Sequence, residues 1–396
     1  MMFLKSGRIE EAPFKLFHRA EDVPKKAFSR RSVFLQKDYL RSLEAAAPAG
    51  MEFRYLYLPL SGQNGTLYYF QAINLSSKEI GQIINFQPYS NIIKSISDLV
   101  QSFLFGTGKD RPNYLLISGN MCLSGPYGIG YDPQDEKTAA AHLFQAIEYC
   151  SKDLHKKGKV VATIVKDYPE GRTAFSAGMR QHRYNRLTMD PVMKMEIRPE
   201  WKTMSDYVGA ITSKYRQRYQ QARKKMGDCT VRVLTIEEAE KLQPKINELY
   251  TAVQEKSPVR IVQPHAGYLL SILKNMGDKA VMYGIFHEEK LIGFMTGISD
   301  GDHYEAHHIG MDYDYIRSQS LYLNILYCYI EMAIRSGARE LSFGRTALEM
   351  KTTVGAIPDM HEAWLKLSNR MLNSLACHLI PEKTGNDWIP RNPFRD

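Results

Sequence analysis

With 396 residues, 44% of them hydrophobic and 24% charged, the chain is too apolar to be a disordered segment and long enough for two domains of ordinary size. Its formal net charge of +9 favours polyanions, anionic surfaces or phosphorylated small molecules as partners. The five cysteines (Cys122, Cys150, Cys229, Cys328, Cys377) are scattered, odd in number and without a CxxC pair, which argues against a disulfide scaffold or a cysteine zinc site and fits a reducing compartment. The first residues, MMFLKSGRIEEAPFKLF, hold no long apolar core, so no secretory signal is expected. No segment approaches the ~20 apolar residues of a membrane span. A cytoplasmic location is expected, with any membrane contact peripheral and at the inner face.

Residues 1–30 mix charges with short apolar runs and read as an irregular arm. A short helix fits 32–46. Alternating residues over 53–60 and 67–75, separated by Ser61-Gly62-Gln63-Asn64-Gly65, predict a β-hairpin. A mostly helical stretch over 79–105 and a strand over 114–118 follow. The next loop carries Gly125-Pro126-Tyr127-Gly128-Ile129-Gly130, which lacks the Lys-Ser/Thr ending of a P-loop and reads as a tight turn. Then come a helix over 137–157 stopped by Gly158, a strand over 160–165, a basic aromatic-bearing loop or short helix over 172–186, and a strand over 192–197.

Residues 201–226 predict one long helix or two. Their end, KYRQRYQQARKK, holds six cations and two tyrosines in twelve residues. A solvated helix face explains such a run; so does a grip on an anionic headgroup, on CoA phosphates or on RNA. A strand over 229–234 and helices over 237–256 and 266–276, joined by a loop over 257–263, lead to a hairpin over 280–287 and 291–298. Gly293 and Gly297 in its second strand permit close backbone approach or mark a bulge.

The stretch from His303 to Pro358 organises the rest. It predicts a polar strand over 303–310, a turn at Arg317-Ser318-Gln319-Ser320 with serine as helix cap, a helix over 319–336 with apolar helical spacing, a stop at Gly337 and a strand over 340–344. Unpaired N–H groups and the dipole of such a helix start, with Arg317 beside it, suit a phosphate or pyrophosphate. A strand over 361–367 and a proline-containing tail close the chain. The strand–loop–helix–Gly–strand order of 114–165 returns in 303–344, each time behind a hairpin, so the halves read as an internal repeat with a boundary near 198.

From Trp201 to Leu367 the chain resembles the GNAT-like acyltransferase domains of the FemAB type. The resemblance rests on the basic helix Ser213-Lys214-Tyr215-Arg216-Gln217-Arg218-Tyr219, running on to Arg223-Lys224-Lys225, and on the sheet segments over 280–311. It includes the 317–321 turn, and Phe343-Gly344-Arg345 followed by Met350-Lys351. The turn RSQSL lacks the glycines of the usual GNAT phosphate loop. The resemblance implies an α/β fold of two tandem GNAT-like domains, mixed central sheets flanked by helices: 1–198, degenerate, and 199–396, catalytic. It further implies acyl-CoA as co-substrate, held by Gly310, Met311, Arg317, Ser318, Gln319 and Ser320.

Amine acylation needs a base for the amine proton and a donor for the developing oxyanion. Glu305, His307 and His308 are the base candidates. Strand alternation puts Glu305 and His307 on one face and His308 on the other. Lys214, Arg218, Tyr313, Arg345 and Lys351 are candidates for holding substrate, the last two for a carboxylate, sulfonate or phosphate of the acceptor; surface cations are the alternative. Adjacent strand histidines diverge and no third ligand stands at usable spacing, so no metal is expected. The expected activity is direct acyl transfer from acyl-CoA to the amine of an anionic acceptor such as an amino-lipid precursor. Aminoacyl transfer from tRNA to a peptidoglycan precursor ranks lower, because 235–280 is too short for a long helical arm. A non-catalytic protein binding anionic lipid or nucleic acid is the reading from another class.

Overall fold

The computed structural model describes residues 13–28, 32–48, 50–60, 64–75, 102–104, 111–169, 173–187, 189–256, 265–376 and 388–394. The helix expected over 79–105 lies outside them apart from 102–104, and so does the loop expected over 257–263.

Two sheets carry the chain. The first contains β1 (Lys15–Phe17), β2 (Met51–Leu58), β3 (Thr66–Asn74), β4 (Asn113–Ser118), β5 (Ile129–Gly130), β6 (Lys159–Pro169) and β7 (Asn185–Leu187). The second contains β8 (Val192–Glu196), β9 (Cys229–Val233), β10 (Ala280–His287), β11 (Lys290–Asp300), β12 (His303–Met311), β13 (Glu340–Ser342) and β14 (Ile357–Asp359). The last strand, β15 (His361–Leu367), returns to the first sheet and pairs with β6 and β7. The orders are β1-β2-β3-β4-β6-β15-β7, with β5 on β3, and β14-β8-β13-β12-β11-β10-β9. The longer helices are α1 (Lys37–Ala45), α2 (Glu136–Leu154), α3 (Thr173–Gln181), α4 (Ser213–Lys225), α5 (Gln243–Glu255), α6 (Tyr268–Met276) and α7 (Leu321–Ser336).

Period-two alternation explains how β2 and β3 are buried on both faces. Phe53, Tyr55, Tyr57, Leu67 and Tyr69 enter a core shared with Leu269, Ile272 and Phe294 of the second half. Leu56, Leu58, Tyr68 and Phe70 enter another with Leu143 and Ile147 of α2. The halves thus share one apolar seam. In each sheet a helix connects two parallel neighbours, α2 between β4 and β6 and α7 between β12 and β13. The expected repeat is visible here. The two sheets also trade a strand: β8 sits beside β13, and β15 sits beside β6. A cut at 198 would therefore part β8 and β15 from the sheets they complete.

Two details prepare the site. The expected helix over 201–226 is two helices, Met204–Ala210 and α4, broken at Ile211-Thr212. In β12 the pairing with β11 shifts between Thr296↔His308 and Gly297↔Ala306, leaving His307 as an extra residue in a β-bulge.

Candidate active site

A cleft of 570 Å³ lies between α4, the end of β12 and the start of α7. Arg218, Gln221 and Lys225 line it from one stripe of α4, Met311 and Tyr313 from the strand end, and Ser320, Tyr322 and Leu323 from the helix start. Ala347 and Met350 close the far side. The wall is apolar inside and cationic along α4, which suits a ligand with an apolar arm and an anionic end. Not every cation of α4 is free for this. Arg216 is spent on the carbonyls of Val208, Gly209 and Ile211 at the end of the preceding helix, and Arg223 on Tyr219 and Glu331.

The start of α7 is built differently from the expected serine cap. Ser320 occupies the cap position in the left-handed region, φ 48°, and its hydroxyl bonds no helix amide. Asn324 does the tethering. Its buried amide donates to the carbonyls of Gln319 (3.0 Å) and Ala222 (2.9 Å), joining the turn to α4. This polar residue in an apolar helix was the sequence signal that went unread. Arg317 and Ser318 are exposed in a short helix over 315–318, and the Arg317 carbonyl accepts from Lys225. Gly310 is a packing residue: a Cβ there would meet Phe294 at 2.1 Å and the Leu249 backbone at 2.9 Å. Lys214 is exposed and outside the cleft lining.

The parallel pair β12–β13 parts before the cleft, whose lining takes up β12 at Met311. Pairing covers only His303↔Glu340, Tyr304↔Leu341 and Glu305↔Ser342, while β12 runs on to Met311. The matching pair in the first half stays together from Asn113↔Lys159 to Ser118↔Val165. Glu305 stands on the last rung before the parting and is 3% exposed. Its Oε2 is 3.1 Å from His303 Nε2, and His303 Nδ1 is 2.9 Å from Glu340 Oε1. Burial opposes charge on His303, but these two carboxylates win and raise its pKa to about 9. The same bond, with Lys194 at 3.0 Å, lowers Glu340 to about 2 against the opposing effect of burial.

The two base candidates after Glu305 sit elsewhere. The bulge turns His307 and His308 to the same side, against the expected alternation, with ring centroids 4.3 Å apart. Both lie against Tyr268 of α6, and Tyr250 of α5 packs on His308. His307 Nε2 is 2.8 Å from the Tyr268 hydroxyl, which is 3.2 Å from that of Tyr39 in the first half. Burial holds His307 well below the ordinary histidine range, with His308 adding to it, and pushes His308 down to about 4. None of Glu305, His307 and His308 lines the cleft itself, but the two histidines alone are packed away against α5 and α6. They are neutral core histidines in a polar seam between the halves.

Arg345 and Lys351 also face inward rather than toward an exposed acceptor. Arg345 pairs with Asp167 of β6 at 2.6 Å and donates to the Asp190 carbonyl. Asp167 also binds Lys166 and the Gly125 N–H, so the glycine-containing turn cradles a carboxylate of the protein itself. Lys351 is 4% exposed and donates to three carbonyls in the loop after β13. A lysine nine residues past a strand end looks the same in sequence whether it caps a loop or faces solvent. Among the described residues no cluster of His, Cys, Asp and Glu is arranged to hold a metal ion, and no helix is long and apolar enough to cross a membrane.

The sequence profile of the acetyltransferase (GNAT) domain matches residues 213–352, the span from α4 to the Lys351 loop. A crystal structure of FemX superposes with a TM-score of 0.56 at 10% identity, covering 91% of this chain and 99% of that one. This is a GNAT-like double-domain fold of the FemAB type. A tandem GNAT protein from the clavulanic acid biosynthesis pathway is similar over 90% of this chain and 99% of its own, at 10% identity and TM-score 0.49. No curated protein matches the sequence. The GNAT domain contains the whole cleft lining, from Arg218 to Met350.

Proposed function

We propose that the protein transfers an acyl group from a thioester donor to an amine, and that the second half, 199–396, does the chemistry. The cleft beyond the parting of β12 and β13 carries this reading, because it lies inside the matched GNAT domain and joins an apolar channel to a cationic helix. The donor's anionic end lies along Arg218, Lys225 and the amides at the start of α7. Its acyl thioester lies at the parting, beside Glu305. Glu305, oriented by its hydrogen bond to His303, takes a proton from the acceptor's ammonium. The freed amine attacks the thioester carbonyl, the C–S bond breaks, and the thiolate leaves with a proton. The fully paired β4–β6 ladder supports a first half without a donor cleft, serving as scaffold.

The donor is acyl-CoA in this reading, and the acceptor is an anionic amine such as an amino-lipid precursor at the membrane face. A second reading, aminoacyl-tRNA as donor, draws on the exposed cations Lys224, Lys225 and Arg317 at the cleft. Incubation with acetyl-CoA and palmitoyl-CoA, each with a mixture of amines including amino-lipids, tests the first. Free thiol and N-acyl product are the expected result. No thiol with either donor, but product from charged tRNA, moves the assignment to the second reading. No product with any donor overturns both.

A further inference from the structure

The two edges of β13 part from their neighbours at different places. Toward β8, pairing continues beyond Ser342: the Phe343 N–H donates to the Met193 carbonyl at 2.8 Å, and the Gly344 carbonyl accepts from the Met193 N–H at 3.0 Å. Toward β12 the last pair is Glu305↔Ser342. The chain at Phe343 and Gly344 is therefore still held in the sheet when β12 leaves it, so the parting is not a simple end of strand.

Lys351 stands at this point. Its Nζ donates to the carbonyls of Phe343 (2.7 Å), Gly344 (3.2 Å) and Arg345 (2.6 Å), three acceptors for the three hydrogens of an ammonium. The loop it grips is unusual, with Gly344, Thr346 and Ala347 all at positive φ (65°, 71° and 47°), and Ala347 lines the cleft. A buried ammonium is costly unless its hydrogens are all taken, and here they are.

We propose that Lys351 is a positioning residue that keeps β12 and β13 apart: by holding the Phe343 and Arg345 carbonyls, it denies them to β12 beyond Glu305 and leaves the gap between the two strands to the acyl donor. The proposal rests on the thioester-transfer reading for its purpose, though the lock itself is a property of the sheet. Two strands that lose such a plug close up, because unpaired strand edges seek partners. The first half is the internal comparison: its equivalent pair β4–β6 stays together to the end of β4.

Protonation bears on the lock. Burial pulls Lys351 down to about 7, with Glu305 of β12 as the opposing charge. The other charged groups around this loop are already engaged: Arg345 by Asp167 of β6, Glu349 by Arg391, and Arg218 of α4 against Met350. A neutral amine has two hydrogens for three carbonyls, so the grip loosens as pH rises through neutrality.

Amide hydrogen exchange and calorimetric binding of palmitoyl-CoA, on the full chain, test this. In Lys351→Met the amides of 306, 307 and 309 exchange more slowly, His308 being already bonded to Thr296, and the donor binds about tenfold more weakly or worse, matching the loss of a buried hydrogen bond. Lys351→Arg, which keeps the donors, recovers part of the affinity. If Lys351→Met does not fold, the wild type decides. Between about pH 6 and about pH 9, after correction for intrinsic exchange, the same amides become more protected and donor affinity falls. Unchanged exchange and affinity in Lys351→Met, or pH-independent behaviour of the wild type, overturns the lock. Should palmitoyl-CoA fail to bind the wild type at all, the thioester reading falls, and exchange alone still decides whether Lys351 holds the strands apart.

Discussion

His303 Nε2 sits 3.1 Å from the buried Glu305 carboxylate, and the same ring reaches Glu340 with its other nitrogen. Glu305 is thereby fixed in one orientation at the parting of the strands and supplied with a positive neighbour that itself touches solvent-exposed groups. Glu305→Gln removes the base and lowers kcat by about 10²-fold or more, with the donor KM little changed. His303→Gln keeps a donor to Glu305 but not the charge. It lowers kcat by about tenfold. Steady-state rates across pH for the three proteins check both.

The same histidine has a stability signature. Its pKa rises from 6.5 to about 9 on folding, so the folded state binds the proton more tightly. That contribution is complete below the unfolded pKa and is lost as pH rises through the folded one. Between about pH 6.5 and about pH 9 the wild type should lose melting temperature that His303→Gln does not lose.

His308 gives the opposite sign. Its pKa falls to about 4, so the unfolded chain takes up a proton the folded one refuses. Stability is full above 6.5 and is lost as pH falls toward 4. His308→Phe, on a side chain already packed among tyrosines, should blunt acid unfolding while leaving the neutral-pH rate within a few-fold of wild type. A collapse of the rate comparable with that of Glu305→Gln would return His308 to the chemistry.

Arg218 and Lys225 face the cleft from one stripe of α4. Arg218→Ala with Lys225→Ala should raise the donor KM about tenfold, more at low salt than at high, and leave kcat nearly unchanged. Substituting Arg216, which serves backbone carbonyls, should instead lower the melting temperature.

A fragment of 199–396 lacks β8, and β13 and β14 lose the strand between them. It should be insoluble or molten by near-ultraviolet circular dichroism, although it contains the whole matched domain and the cleft. A folded, active fragment would show that the exchanged strands are dispensable.

The repeat was legible because hairpins, helix stops and apolar spacing are local signals: Gly337, φ 73°, does end α7, and both hairpins lie where alternation put them. Sheet membership is not local. Nothing in Val192–Glu196 or His361–Leu367 records that each belongs to the other half's sheet, since alternation reports faces and not neighbours. The bulge had a visible trace in Gly297, whose added Cβ would meet the Tyr304 hydroxyl at 2.0 Å. Its effect on His307 and His308 needed the register. Glu305 was legible as one of three base candidates on a strand read as polar. Its partner His303, two residues away on the same face, was legible by alternation; the inward turn of Arg345 and Lys351 was hidden because it depends on Asp167, 178 positions from Arg345, and on a loop with positive φ.

The traded strands also set an order of assembly. The first half leaves the ribosome with one lane of its sheet vacant between β6 and β7, and the strand that fills it is encoded about 190 residues later than β6. Until residues 361–367 emerge, Tyr168 and Val165 border an open edge, and the nascent first half cannot finish independently. Each half is thus completed by a strand that the other half encodes.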